Sequence, residues 1–424
     1  MNSTTEEDRW VERGHRLPFP PEVFLRLCSF LSPSDARSLR LCCKALAKTG
    51  ACYGFRNIHL WLCKPDFEML RALSCHPIIS KNIKKLTYHT PTLIYPDGLY
   101  HPLHEFIRLS MLGRPLPHYF VAATENILEK YRRYEITAQE QLQIVDEKED
   151  VALFEEVLPK LTCLEEITID VKPYGSPPHM VFADLREQQI EQHAQALMHG
   201  LSNSGLRLRS LEVMSLVPSA INATFLQQIL PACKYLKSID ITFYPHNSVC
   251  RVDSETWEVY LPGDDLLEHF FKDLRSLECI RVQGFGIHLR HIVHPDAKWN
   301  NLREVELNVI NTERHELVAF FERHRLTLEI VTMEECILAT TSVKILLFQM
   351  KEVLKLKELH LHGAWNGRFE DGEDRSGFTN SSATQGWQFG EATDRHCLGM
   401  KVADWFLHDA PCPLQPDLLN LAAR

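Results

Sequence analysis

Beyond residue 80 one spacing of apolar positions recurs: a first residue, then others three, six and eight places on. It runs Leu161, Leu164, Ile167, Ile169, then Leu208, Leu211, Met214, Leu216, then Cys233, Leu236, Ile239, Ile241. Leu274, Leu277, Ile280, Val282 and Trp299, Leu302, Val305, Leu307 follow, and Val353, Leu356, Leu359, Leu361 close the series. One copy has Arg325 in its first position ahead of Leu328, Val331 and Met333. A weaker copy near the front has Ile83, Leu86 and Tyr88. With 45% of the chain apolar, four positions fill by chance about once in 25 windows, so phase carries the reading. First positions lie at 161, 208, 233, 274, 299, 325 and 353, and four of the six intervals are 25 to 28 residues. The last two positions alternate, as a strand burying one face requires. Between the copies, helical spacing marks 224–230, 265–274, 315–324 and 342–354. Strand, loop and helix in repetition predict an α/β fold of stacked units, each covering its neighbour's apolar face.

A different pattern opens the chain. In "FPPEVFLRLCSFLSPSDARSLRLCCKAL", residues 19–46, Pro20 and Pro21 suit a helix start, where a missing N–H costs nothing. Glu22 falls in the first turn, where a carboxylate complements the helix dipole. Val23, Phe24, Leu27, Phe30 and Leu31 then form a wide apolar stripe at helical spacing. "SPSD" at 32–35 ends that helix and offers Ser34 or Asp35 as the next N-cap. Leu39, Leu41, Cys42, Cys43 and Leu46 carry a second helix. Two helices of about three turns cannot bury that surface against each other, so another polypeptide is the expected cover.

This block resembles the F-box, the helical motif through which F-box proteins dock on the Skp1 adaptor of cullin–RING ubiquitin ligases. The family's opening leucine, proline, any residue, glutamate, isoleucine or leucine reads here Phe19, Pro20, Pro21, Glu22, Val23. Its next segment matches Leu27, Cys28, Ser29, Phe30, Leu31, its aspartate matches Asp35, and its leucine-rich run matches Leu39, Leu41, Cys42, Cys43, Lys44. Phe19, Ala36 and Leu46 depart from the usual leucine, leucine and tryptophan. The later repeats resemble the irregular leucine-rich repeats that follow many F-boxes, of the diverged kind common in fungal proteins, although most copies lack the repeat's asparagine. The resemblance implies a Skp1-binding face of Phe19, Pro20, Glu22, Val23, Leu27, Phe30, Leu31, Leu39, Leu41, Cys43 and Leu46. It also implies cullin and a RING protein recruited through Skp1, and a target protein held by the repeats. The expected fold is thus a short helical F-box followed by an irregular leucine-rich-repeat-like solenoid, or horseshoe, with helical insertions. Two alternatives stay open: a Skp1-binding protein acting outside a ligase, and a non-catalytic repeat scaffold whose first helices only cap the stack.

These patterns divide the chain into a disordered N-terminus (1–16), the F-box (17–60) and the repeat-like domain (61–362) with a helical insertion at about 91–150. A flexible Gly/Ser-rich loop (363–396) and a C-terminal capping helix with its tail (397–424) complete it. Residues 242–265 read as a loop with a short hairpin.

Composition narrows the function. A formal net charge of −10 argues against nucleic-acid and anionic-membrane partners, which favour clustered basic surface. The acidic N-terminus lacks the apolar stretch of a signal peptide, and no apolar run approaches the ~20 residues needed to span a bilayer, so a cytoplasmic or nuclear location is expected. Thirteen scattered cysteines, with no CxxC pair, suit reduced thiols. Cys28, Cys163, Cys233, Cys279 and Cys336 read as small buried hydrophobes. His288, His291 and His294 stand three apart but drift around a helix, and read as surface or capping residues. His360 and His362 share one face of a predicted strand, opposite Leu361. No phosphate-binding loop, dinucleotide fingerprint or nucleophile elbow occurs. The chain is therefore expected to be non-catalytic, with no cofactor and no metal.

Overall fold

A computed structural model describes residues 21–90, 127–170, 186–216, 223–243, 265–338, 343–365, 387–390 and 397–413. The expectations for residues 1–16, for Phe19 and Pro20, and for the stretches 91–126, 244–264 and 366–386 fall outside them. Three helices come first: α1 (Pro21–Cys28), α2 (Pro33–Cys42) and α3 (Lys44–Gly54). Ser32, rather than Ser34 or Asp35, caps α2, its hydroxyl oxygen accepting the Asp35 N–H at 3.1 Å with Pro33 in the first turn. The second helix stops at Cys42, because Cys43 is extended (φ −161°, ψ 162°) and starts α3 in a new direction. Gly50 makes the α2–α3 crossing possible, since a Cβ there would lie 2.6 Å from the Ala36 carbonyl oxygen.

A mixed α/β body with an open parallel sheet follows. Its first units are β1 (Asn57–Trp61), α4 (Lys64–Cys75), β2 (Lys85–His89), α5 (Ile127–Asp146), α6 (Glu149–Val157) and β3 (Glu166–Asp170). Next come α7 (Arg186–Ser204), β4 (Ser210–Leu216), α8 (Ala223–Cys233), β5 (Ser238–Phe243), α9 (Asp265–Asp273), β6 (Cys279–His288) and β7 (Glu304–Thr312). The series ends with α10 (Arg314–His324), β8 (Ile330–Glu334), β9 (Ile337–Leu338), α11 (Val343–Val353) and β10 (Glu358–His362). Each strand pairs in parallel with the one before it in the chain, except that β10 joins β8 while β9 pairs with the end of β7. Most helices also neighbour the next in the chain, α6 with α7, α7 with α8, α8 with α9 and α10 with α11, while α4 packs on α6.

The alternating apolar positions face those helices. Leu86 and Tyr88, Ile167 and Ile169, Ile239 and Ile241, Ile280 and Val282, Val305 and Leu307, Val331 and Met333, and Leu359 and Leu361 are buried in one continuous core. One copy has a different phase from the expected one. The ladder aligns Leu211 and Val213 with Ile167 and Ile169, leaving Met214 half-buried on the opposite face. Its first position is therefore Gly205 and not Leu208, which makes the later interval 28 residues. Strand β1 crosses the boundary expected at residue 60, and its buried Ile58 and Leu60 extend the same core. Cys52, Phe55, Ile58 and Leu60 carry the recurrent spacing there, inside the stretch assigned to the F-box.

One residue before each strand the backbone ladder already runs. The carbonyl of Arg56 accepts from Lys84 and Lys85, that of Lys84 from Glu165 and Glu166, and so on through Arg209, Lys237, Glu278, Arg303 and Glu329. Every rung is charged, and three opposite-signed neighbours pair closely: Lys84 with Glu165 at 2.8 Å, Lys237 with Glu278 at 2.6 Å, Lys357 with Glu329 at 2.8 Å. Exposed pairs of this kind contribute about 0–1 kcal/mol each, so burial and not the rim holds the sheet.

The expected flexible loop at 363–396 is anchored at both ends. β11 (Ala364–Trp365) and β12 (Trp387–Gln388) pair antiparallel, and Trp365 and Phe389 are fully buried. The expected C-terminal helix is α12 (Leu398–His408), packed on β10, with Gly399 where any Cβ would collide with the Leu361 carbonyl oxygen. Cys28, Cys233 and Cys336 are buried as expected, but Cys163 and Cys279 are only half-buried.

His288, His291 and His324 are interior groups. His288 ends β6 and is 1% exposed, His291 is buried in a single 3-10 turn, and their ring centroids are 5.9 Å apart. These two are not the surface residues one reading allowed, whereas half-buried His294 makes a capping contact, its Nδ1 accepting the Asp296 N–H at 2.9 Å. His324 is neutral by construction, its Nδ1–H donating to the Phe320 carbonyl at 2.8 Å while Nε2 accepts the Trp299 N–H at 3.1 Å. Burial is the main cause that lowers its pKa to about 4. The unfolded imidazole takes a proton near pH 6.5 and the folded one only near 4. Stability at this site is therefore complete above pH 6.5 and declines by about 3 kcal/mol as pH falls to 4. Urea midpoints at pH 7 and pH 5 should show this fall, and His324→Gln should make it shallower.

Candidate protein-docking site

Val23 and Leu27 stand one turn apart on α1, and Phe30 and Leu31 follow in the turn after it, where their N–H groups donate to the Leu27 and Cys28 carbonyls. Among the described residues, nothing covers these side chains. Val23 is 39% exposed, Leu27 50%, Phe30 73% and Leu31 39%, and Leu41 at the end of α2 is 79% exposed. The Arg26 guanidinium lies over the Phe30 ring at 5.1 Å, a cation at the edge of the apolar run. The opposite side of the helical unit is closed: Cys28 and Ala36 are buried, and Arg40 lies over the Phe55 ring at 5.0 Å.

The predicted face is thus brought together in part. Val23, Leu27, Phe30, Leu31, Leu41 and Cys43 are exposed, and Leu39 is half-buried. Leu46, expected on the same face, is buried instead. It belongs to α3, which packs against α2 and α1, while Ala51 and the C-cap residue Phe55 pack on the main core. Glu22 lies on α1, while Phe19 and Pro20 are outside the described residues. Cys42 and Cys43, expected in an apolar helix, are both exposed, and the Cys42 thiol lies 3.6 Å from the Ser38 carbonyl.

A second surface was not singled out in sequence: the strand face turned away from the helices. In its central row Thr168, Glu212, Asp240, Arg281, Glu306 and Thr332 are cross-strand neighbours. Arg281 bridges Glu304 at 2.6 Å and Glu306 at 3.2 Å, and Thr168 donates to Glu212 at 2.7 Å. Asp240 stands directly opposite Glu212, an unfavourable like-charge pair. Burial first, then the Glu212 and Glu306 carboxylates, push its pKa up to about 6 against the pull of Arg281. At the β1 edge His59 and His89 approach to 3.0 Å, His89 meets Asp170 at 3.0 Å, and Trp61 stacks on His89 at 4.3 Å. At the far edge His360 and His362 share the face as expected, with ring centroids 6.2 Å apart. The signal for this surface was the polar partner of each apolar alternation, visible only once the strands are put in register.

Among the described residues, no three His, Cys, Asp or Glu side chains are grouped to hold a metal ion, and no helix is long and apolar enough to cross a membrane. The thiols of Cys233 and Cys336 are pushed up to about 12 by burial, which suits packing and not nucleophilic chemistry. Compared with known proteins, the sequence matches no family model and no curated protein.

Proposed function

We propose that the chain is the substrate-receptor subunit of an SCF-type cullin–RING ubiquitin ligase, with α1 and α2 docking on a Skp1-type adaptor. The observation that carries this reading is the run of exposed apolar side chains Val23 and Leu27 on α1 and Phe30 and Leu31 in the turn after it, with Leu41 exposed at the end of α2. A monomer seldom leaves such contiguous side chains in water unless they serve an interface. The run coincides with the positions at which the sequence resembles an F-box. The strand-after-strand parallel order supports the companion reading of the body as an irregular leucine-rich-repeat-like solenoid. Its polar strand face is then the surface offered to a target. Catalysis in such an assembly is by proximity: the receptor holds a target lysine near a ubiquitin-charged enzyme and supplies no reacting group.

One observation favours a rival. Ala51 and Phe55 of the helical segment pack against the main core, as they would in a scaffold whose first helices cap the stack. Co-precipitation separates the readings. The tagged chain is expected to capture a recombinant Skp1 adaptor and, through it, cullin. Adaptor without cullin would assign a Skp1-bound role outside the ligase, and capture of neither would leave the scaffold.

A further inference from the structure

A cavity of about 570 Å³ opens at the rim where β3, β4 and β5 begin. Its walls include Glu165, Arg209 and Lys237, the residues immediately before those three strands, together with Arg207 and Tyr235. Three cations therefore face one carboxylate, on a chain whose formal net charge is −10. The one carboxylate is already engaged: Glu165 lies 2.8 Å from Lys84 and only 3.8 Å from Arg209. Arg209 keeps 61% of its side chain exposed. Arg207 is held by the Tyr235 ring, 4.9 Å beneath its guanidinium, which orients the group without neutralising it. Lys237 reaches Glu278, which is not among the cavity walls.

We propose that this cavity seats a phosphate monoester. Two guanidinium forks and an ammonium suit a compact dianion with several acceptor oxygens better than a single carboxylate. The cavity is roomier than a bare phosphate group, so the residue or ring bearing the ester fits beside Tyr235. No residue of α1–α3 takes part, so the seat stands apart from adaptor docking. The convergence escapes the sequence because Glu165, Arg207–Arg209 and Tyr235–Lys237 come from three different units.

The test uses the full chain and calorimetric titration with phenyl phosphate, a short phosphoserine peptide and the same peptide unphosphorylated. Both phosphorylated probes are expected to bind, more weakly as salt rises, and the unphosphorylated peptide is not. Arg207→Gln with Arg209→Gln should weaken binding roughly tenfold or more, as expected for lost charge-assisted hydrogen bonds. Glu165→Gln should tighten it by removing the competing carboxylate. A phosphopeptide bound more tightly than phenyl phosphate assigns the ester to a protein side chain, and equal affinities assign it to a soluble ester. Failure of both phosphorylated probes, or wild-type affinity in the double variant at an unchanged melting temperature, overturns the proposal. Should the double variant melt early, Lys237→Gln alone provides the comparison, its side chain being 52% exposed.

Discussion

Chains carrying Leu27→Asp or Phe30→Asp are expected to lose capture of a recombinant Skp1 adaptor while melting at the wild-type temperature. Both side chains are at least half exposed, so in the free protein an aspartate there stays in water and disturbs no packing. In the complex it would be buried without a partner, at a cost of several kcal/mol. The apolar contact it replaces is worth about 1.5–3 kcal/mol. A micromolar complex amounts to about 8 kcal/mol in all, so little capture should survive either change. Leu46→Asp is the contrasting variant. Its site is buried, so capture and melting temperature should fall together. Undiminished adaptor binding by the Leu27 and Phe30 variants would remove the docking role.

Trp299→Ala is expected to be the most destabilising single change in the body of the protein. The indole is 1% exposed and ties three units together. Its Nε1–H donates to the Phe271 carbonyl at 3.1 Å, its backbone N–H donates to His324, and its ring stacks on His324 with centroids 5.4 Å apart. Emptying such a site costs about 3–5 kcal/mol, and the hydrogen bond lost at the Phe271 carbonyl, which keeps the Leu274 N–H, adds about 1 kcal/mol. Against an ordinary total stability of roughly 5–15 kcal/mol, the loss should appear as a large drop in the urea midpoint. Trp299→Phe retains most of the volume and loses the N–H, so it should fall between. A midpoint for Trp299→Ala within 1 kcal/mol of wild type, taking that as the limit of a mild core change, would show that the units do not depend on this contact.

Much of the architecture was readable in advance. The helices at 223–233, 265–273, 314–324 and 343–353 lie where helical spacing put them, and most strands follow the alternating pairs. The miscounted copy at Leu208 arose because Leu208, Leu211, Met214 and Leu216 satisfy the spacing as well as Gly205, Leu208, Leu211 and Val213 nearly do. Only the ladder to Ile167 and Ile239 separates them. Helix α7 was passed over, although Ala194, Leu197, Met198 and Leu201 repeat at helical intervals and are buried. On α1 and the turn after it the exposed apolar positions were legible, since amphipathic spacing and its surplus are both properties of a few adjacent turns.

Periodicity is a local quantity, carried by residues within two or three turns, and so the order of strands, helices and apolar stripes can be read along a linear chain. Which stripe finds a cover is a different matter, because burial is set by residues far away in the chain. Leu46 is buried because α3 packs against α1 and α2, which its own spacing does not show. Glu212 confronts Asp240 only because β4 and β5 lie in register, and Arg209 meets Lys237 at one cavity for the same reason.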